Sequence, residues 1–309
     1  MKSMITLLLV IFITSIVFGQ ERLVNKKLDE LFTCVSTKRK LPADESILYK
    51  SQNHALTLQK MEVWVVDTMP DLRLLAGKIM DRIGLKTTDQ SLRQKSVTLL
   101  LKLCGDPDTR IANYAGLCLK NYSYLDFDND AQLTIRNYIK RKTFGYDNML
   151  RVAGYLNISD IMGVIKEKIS SGMLSRKEKW TAYLVLARLG DGNAIDYCLN
   201  EVKKLKISNN LVYDILPDLV YTHQRKCFDY LIEIIQNNEP LCESANPEAP
   251  GKILCGYRVM EYLAPVVENF PLKTSISGDI IAKDYKQALK ETREWFKKHP
   301  DYKIIANKF

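Results

Sequence analysis

Apolar residues recur along most of this chain at i, i+3, i+4 and i+7, the spacing that gathers them on one face of a helix. Leu72, Leu75, Ala76 and Ile79 open the series, and Ile111, Tyr114, Ala115 and Cys118 repeat it. Met149, Val152, Ala153 and Leu156 follow, with Ile158, Ile161, Met162 and Ile165 directly behind. Trp180, Tyr183, Leu184 and Ala187 make the next face, then Ile195, Cys198, Leu199 and Val202. The pattern continues through Val212–Leu219 and Phe228–Ile235, weakens at Gly256–Leu263 and returns at Tyr285–Thr292. Only Val63-Trp64-Val65-Val66 reads as a short, ambiguous strand.

Short breaks separate these faces. They fall at Gly84, Gly105-Asp106-Pro107-Asp108, Gly145, Gly172, Gly190-Asp191-Gly192-Asn193 and Ser208-Asn209-Asn210. Glycine after a helix, followed by Asp, Asn or Ser, supplies a stop and then a cap. Short connections favour antiparallel neighbours, and stacking of neighbours covers the narrow apolar face that each helix offers. Pro217 interrupts a helical pattern, which predicts a kink or an early start to the next helix. A long helix is expected from about 44 to 67.

Leu156-Asn157-Ile158-Ser159 and Leu189-Gly190-Asp191-Gly192 occupy matching turns 33 residues apart. The stretch Ala187 to Ile195, with its Leu189-Gly190-Asp191-Gly192 turn, resembles the helix end, turn and helix start of short bacterial HEAT-like repeats. Leu101 to Asp108 resembles the same turn less closely. The resemblance covers 70 to 236 and extends toward the end of the chain. It implies an all-α fold, an α-α superhelix in which a HEAT-like repeat solenoid presents a binding face.

The start of the chain has a different character. Met1-Lys2-Ser3 is a short positive leader, Met4 to Phe18 is almost wholly apolar, and Val17-Phe18-Gly19 fits a signal-peptidase site. The apolar run is shorter than the ~20 residues that span a bilayer. The expected organisation is therefore a signal peptide at 1–19, an N-terminal helical cap at 20–69 and a repeat array at 70–309. The mature chain has no further apolar span, and its expected location is periplasmic or secreted.

A proline-rich segment near 239–252, carrying Pro240, Pro247 and Pro250, interrupts the array as a loop insertion. Cys242 and Cys255 bracket it, and an exported chain could join them as a disulfide. Of the remaining cysteines, Cys104 and Cys118 are a poor pair, because about nine residues of helix separate them along the axis by roughly 13 Å. Cys118 and Cys198 sit on apolar faces, as small buried hydrophobes do.

Candidate chemistry is sparse. His54, His223 and His299 are scattered, and no metal, nucleophile or phosphate-cradling motif accompanies them. Asp126, Asp128 and Asp130 resemble the opening of a calcium loop, but Ala131 stands where the turn needs glycine and Asn137 where a closing glutamate belongs. No catalytic residue, metal ligand or cofactor is expected. Lys and Arg number 45 against 36 acidic residues, a formal net charge of +9. Clusters recur at Lys38-Arg39-Lys40, Lys140-Arg141-Lys142, Arg176-Lys177, Lys203-Lys204 and Arg225-Lys226. Several are expected at helix C-termini, where the helix dipole suits a cation.

These observations lead to a non-catalytic scaffold in an exported compartment that binds a protein or peptide. A second expectation is a binder of an anionic envelope polymer, served by the basic clusters. A third is an enzyme whose site forms across repeats without a recognisable motif. The leader argues against nucleic acid as the partner.

Overall fold

The structure is a computed structural model that describes residues 2–143, 145–244, 250–275, 279–306 and 308–309, with backbone alone for 2–18. The chain folds as all-α, in two compact units, Met1–Val152 and Ala153–Phe309. Among the described residues no helix is long and apolar enough to cross a membrane.

The first unit runs α1 (Lys2–Ser36), α2 (His54–Trp64), α3 (Pro70–Lys86), α4 (Gln90–Cys104), α5 (Thr109–Cys118) and α6 (Asn129–Arg141). Helix α7 (Tyr146–Tyr155) carries the chain into the second unit. There follow α8 (Met162–Ser170), α9 (Arg176–Arg188), α10 (Gly192–Lys203), α11 (Leu216–Tyr221), α12 (Arg225–Gln236), α13 (Gly256–Leu263) and α14 (Tyr285–Lys298).

Side chains set most of the helix starts. Pro70 occupies the first turn of α3, where its missing N–H costs nothing. Asp89, Asp108, Asp128, Asp191 and Asp284 each accept a hydrogen bond from the first-turn backbone of α4, α5, α6, α10 and α14. Ser175 and Glu178 close a reciprocal capping box on α9. Each cap contributes about 1 kcal/mol. Asp128 thus belongs to a helix start, and Asp126 is occupied by Arg93 and Ser123. The acidic run 126–130 is structural in this arrangement.

Within each unit several helices pack both on the next helix and on the next but one. In the first, α3 meets α4 and α5, and α4 meets α5 and α6. In the second, α9 meets α10 and α11, and α12 meets α13 and α14. The cores are drawn from the periodic faces: Ile79, Ile83, Leu100 and Ile111 in the first unit, and Leu184, Cys198, Val212 and Leu231 in the second, all essentially excluded from solvent.

Polar contacts repeat the 33-residue interval. Arg73 binds Asp106 and Arg93 binds Asp126, each pair 33 residues apart. In the second unit Arg188 donates to the Tyr221 carbonyl across the same interval. Each contact ties one helix to the segment two helices on.

Three local expectations change. Gly84 does not break a helix but lies inside α3, where a Cβ would stand 2.2 Å from the Tyr122 hydroxyl and 2.7 Å from Ser96 Cβ. The glycine admits a helix–segment contact too close for any side chain. The stretch 44–67 is two 3-10 turns, Ser46–Tyr49 and Ser51–Asn53, followed by α2, and not one long helix. Val63 and Trp64 end α2 instead of forming a strand. At Pro217 the chain makes a π-helical turn, Leu211–Ile215, and then begins α11. Proline cannot donate to the preceding turn, so the chain rewinds there.

The insertion after α12 forms a two-residue antiparallel hairpin, β1 (Cys242–Glu243) and β2 (Lys252–Ile253), pairing Cys242 with Ile253 and Glu243 with Lys252. Cys242 and Cys255 are joined as a disulfide. Cys34, Cys104, Cys118, Cys198 and Cys227 are free thiols.

Candidate functional site

Antiparallel packing of α9 and α10 brings the first turns of α9 beside the last turns of α10 and the π turn before α11. A groove of about 540 Å³ opens at this end of the pair. Its floor is apolar: Trp180 from α9, Val202 from α10, Leu205 from the following loop and Ile215 from the π turn. A shallower extension of about 330 Å³ continues past Leu205 and Ile215 along Ser208, Asn210 and Asp214. The two share Leu205 and Ile215, so they form one trough.

The aromatic groups of the trough are held in place. The Trp180 indole N–H donates to Asp218 Oδ2 at 2.6 Å, which fixes the ring and leaves its faces for contact. Tyr183 stacks on Tyr197 with centroids 3.8 Å apart, bracing α9 against α10. Burial, and then the nearby Glu201 carboxylate, hold the Tyr197 phenol above its ordinary pKa, so it stays protonated. Leu205 is 48% exposed, a large aliphatic side chain left uncovered at the groove mouth.

The rim is cationic. Arg176, Lys177 and Lys179 line it from the first turn of α9. At a helix N-terminus the dipole disfavours cations, and of the charged residues in that turn only Glu178 suits it. The expected local explanation therefore holds for Lys203 at the end of α10 and for Lys140-Arg141 at the end of α6, but fails for Arg176 and Lys177. Arg225 and Lys226 also open a helix, yet they have acidic partners in Asp229 and Asp196. Arg176 and Lys179 have no ion pair among the described residues. Lys203 lies over the Tyr230 ring at 5.2 Å, and Lys204 binds Glu201.

The insertion docks beside the trough without lining it. Asn209, in the loop between Leu205 and the π turn, accepts from the Glu243 backbone at 2.8 Å and donates to its carboxylate at 3.3 Å. The disulfide-closed hairpin is thereby docked on the loop that carries Leu205.

Each of the three histidines has its own local surroundings. His54 contacts the Tyr49 carbonyl in the first unit. His299 contacts the Trp295 carbonyl and stacks on its ring. His223 follows α11 in a left-handed conformation, φ +53°, with both ring nitrogens buried and unpartnered. Burial first, and then the positive Arg188, push its pKa down to about 3. Among the described residues no cluster of three or more His, Cys, Asp or Glu is placed to hold a metal.

Sequence periodicity put Trp180 on the buried face of its helix, but the side chain is half-buried and faces the groove. The usable signal was electrostatic: three cations in one first turn, opposed to the dipole.

No protein-family model matches the chain, and no curated protein or solved structure does.

Proposed function

We propose that this protein is an exported, non-catalytic helical-repeat module of the HEAT-like kind that binds a protein or peptide segment in the α9–α10 groove. The observation that carries this reading is the composition of the trough: an indole held by Asp218, the exposed Leu205 side chain, and Arg176 and Lys179, which have no ion pair among the described residues. Trp, Tyr and Arg dominate binding energy at protein interfaces, and a groove between packed helices is a common mode of peptide capture. Export is supported by the Cys242–Cys255 disulfide, which persists in oxidising compartments.

Binding of an anionic envelope polymer is the second reading. The Arg176–Lys179 rim favours it, although such a polymer would leave the apolar floor without a use.

The test is cross-linked capture from the native organism, using the tagged full chain expressed with its own leader beside a Trp180→Ala variant. A reproducible protein partner held by the parent and lost by the variant supports the peptide-binding reading. A co-purifying polysaccharide or lipid, released by salt and retained by the variant, would replace it with the polymer reading. An N-terminus at Gln20 in the recovered protein is the expected mark of export, and an intact leader on the recovered protein would remove that part of the proposal.

A further inference from the structure

We infer that the α9–α10 groove selects an acidic peptide segment that carries a bulky apolar side chain. This rests on the peptide-binding reading and names the chemistry of the partner.

The apolar requirement comes from the floor. Trp180 cannot turn away, because its N–H is engaged by Asp218. Over the buried Val202, the half-buried Trp180 ring and Ile215 and the exposed Leu205 leave apolar surface in contact with water, and an aromatic or branched side chain would remove that surface from water. At about 540 Å³ the groove lies within the range of ligand pockets, large enough for one such anchor with flanking backbone.

The acidic requirement comes from the rim. Arg176 and Lys179 stand where the α9 dipole opposes them and where no carboxylate in the described residues meets them. An incoming carboxylate supplies the missing partner, and its bonds to Arg176 are charge-assisted. The two requirements act at different places, so the segment needs both.

Beyond the rim the trough carries both signs of charge: Glu201, paired with Lys204, lines the groove, and Asp214 and Lys206 line its extension. A peptide can place its acids at the rim and neutral polar groups along Ser208 and Asn210.

The test is selection from a random twelve-residue peptide display library on the purified full protein. Parallel selections use Trp180→Ala and the double variant Arg176→Glu, Lys179→Glu. Circular dichroism melting of each variant must match the parent. The expected result is a parent pool enriched in Asp or Glu flanking Phe, Trp, Leu or Ile. Synthetic peptides from that pool should bind Trp180→Ala about tenfold or more weakly. They should bind the charge-reversed variant at least as weakly, and that variant should itself enrich basic peptides. A pool that is apolar but carries no acidic bias would overturn the partner chemistry while leaving peptide binding intact. No enrichment over uncoated support would overturn both. Salt-sensitive binding of polyglutamate that is indifferent to Trp180→Ala would overturn the anchor and favour a polymer.

Discussion

Arg73 and Asp106 are 33 residues apart in sequence yet meet through two charge-assisted hydrogen bonds, Nε to Oδ2 at 2.6 Å and Nη2 to Oδ1 at 2.8 Å. Arg73 also donates to the Asp67 and Thr68 carbonyls, and Asp106 accepts from the Asp108 backbone. Both side chains are buried. The fork thus joins the start of α3 to the turn that starts α5. Removing one partner leaves a buried charge uncompensated, so Asp106→Ala is expected to destabilise the first unit by about 3 kcal/mol. Arg73→Lys should recover little, because an ammonium cannot make the two-pronged contact. Urea unfolding of each variant checks this, and a loss below about 1 kcal/mol in Asp106→Ala would show that solvent reaches the pair.

Gly154 repeats in the second unit the close approach made by Gly84 in the first. A Cβ at 154 would lie 2.3 Å from the Tyr221 hydroxyl and 3.3 Å from Val185 Cγ1. Gly154→Ala is expected to cost about 1–3 kcal/mol through overpacking, despite the better helix propensity of alanine. Tyr221→Phe in the same chain should recover part of the loss by removing the obstructing oxygen. Thermal melts of the single and double variants form the cycle, and strict additivity would mean that the hydroxyl is not the obstacle.

His223 makes the second unit sensitive to mild acid. Its folded pKa is pushed down to about 3, by burial and then by Arg188, against about 6.5 in an unfolded chain. Below pH 6.5 the unfolded chain takes up a proton that the folded chain refuses. The stability tied to neutral His223 is therefore complete above pH 6.5 and declines as the pH falls toward 3. Between pH 7 and 4.5 this amounts to about 2.5 kcal/mol. His223→Asn removes the titration and tolerates the left-handed backbone. Urea midpoints of parent and variant at both pH values isolate the contribution, since carboxylate effects cancel in the difference. Equal acid losses in the two proteins would contradict it.

The disulfide closes the hairpin that docks on the chain beside the groove. Closing the 13-residue separation between Cys242 and Cys255 contributes about 3 kcal/mol in the chain-entropy account. Because Glu243 is bonded to Asn209, loosening the hairpin should also loosen the loop that carries Leu205. The double substitution Cys242→Ser, Cys255→Ser is expected to speed amide exchange at 205–210, 242–244 and 250–255 with little change in α3–α5. Unchanged exchange at 205–210 would show that the Asn209 contact does not transmit the constraint.

The positions of most helices were legible in the sequence, because each apolar stripe repeats at helical spacing and most stripes end in a glycine or a capping aspartate. Asp89, Asp108 and Asp191 act on backbone two or three residues away, and such short-range chemistry is visible in one dimension. Gly84 was misleading for the converse reason. As a local signal it marks a break, but its reason for being glycine is Tyr122, nearly forty residues on. The stretch 44–67 also misled: it contains no glycine or proline to mark a break, yet the backbone makes two 3-10 turns before α2.

The sequence by itself determined the all-α class, and it did so through periodicity and capping, which depend on near neighbours. Only the tertiary structure decided what stands beside what. Trp180, Leu205 and Ile215 belong to three different elements, and nothing in their spacing says that they share a groove. Arg176 and Lys179 could have been one more solvated pair. They gain meaning from the apolar floor that antiparallel packing of α9 on α10 sets beside them, a juxtaposition fixed by buried contacts between distant residues.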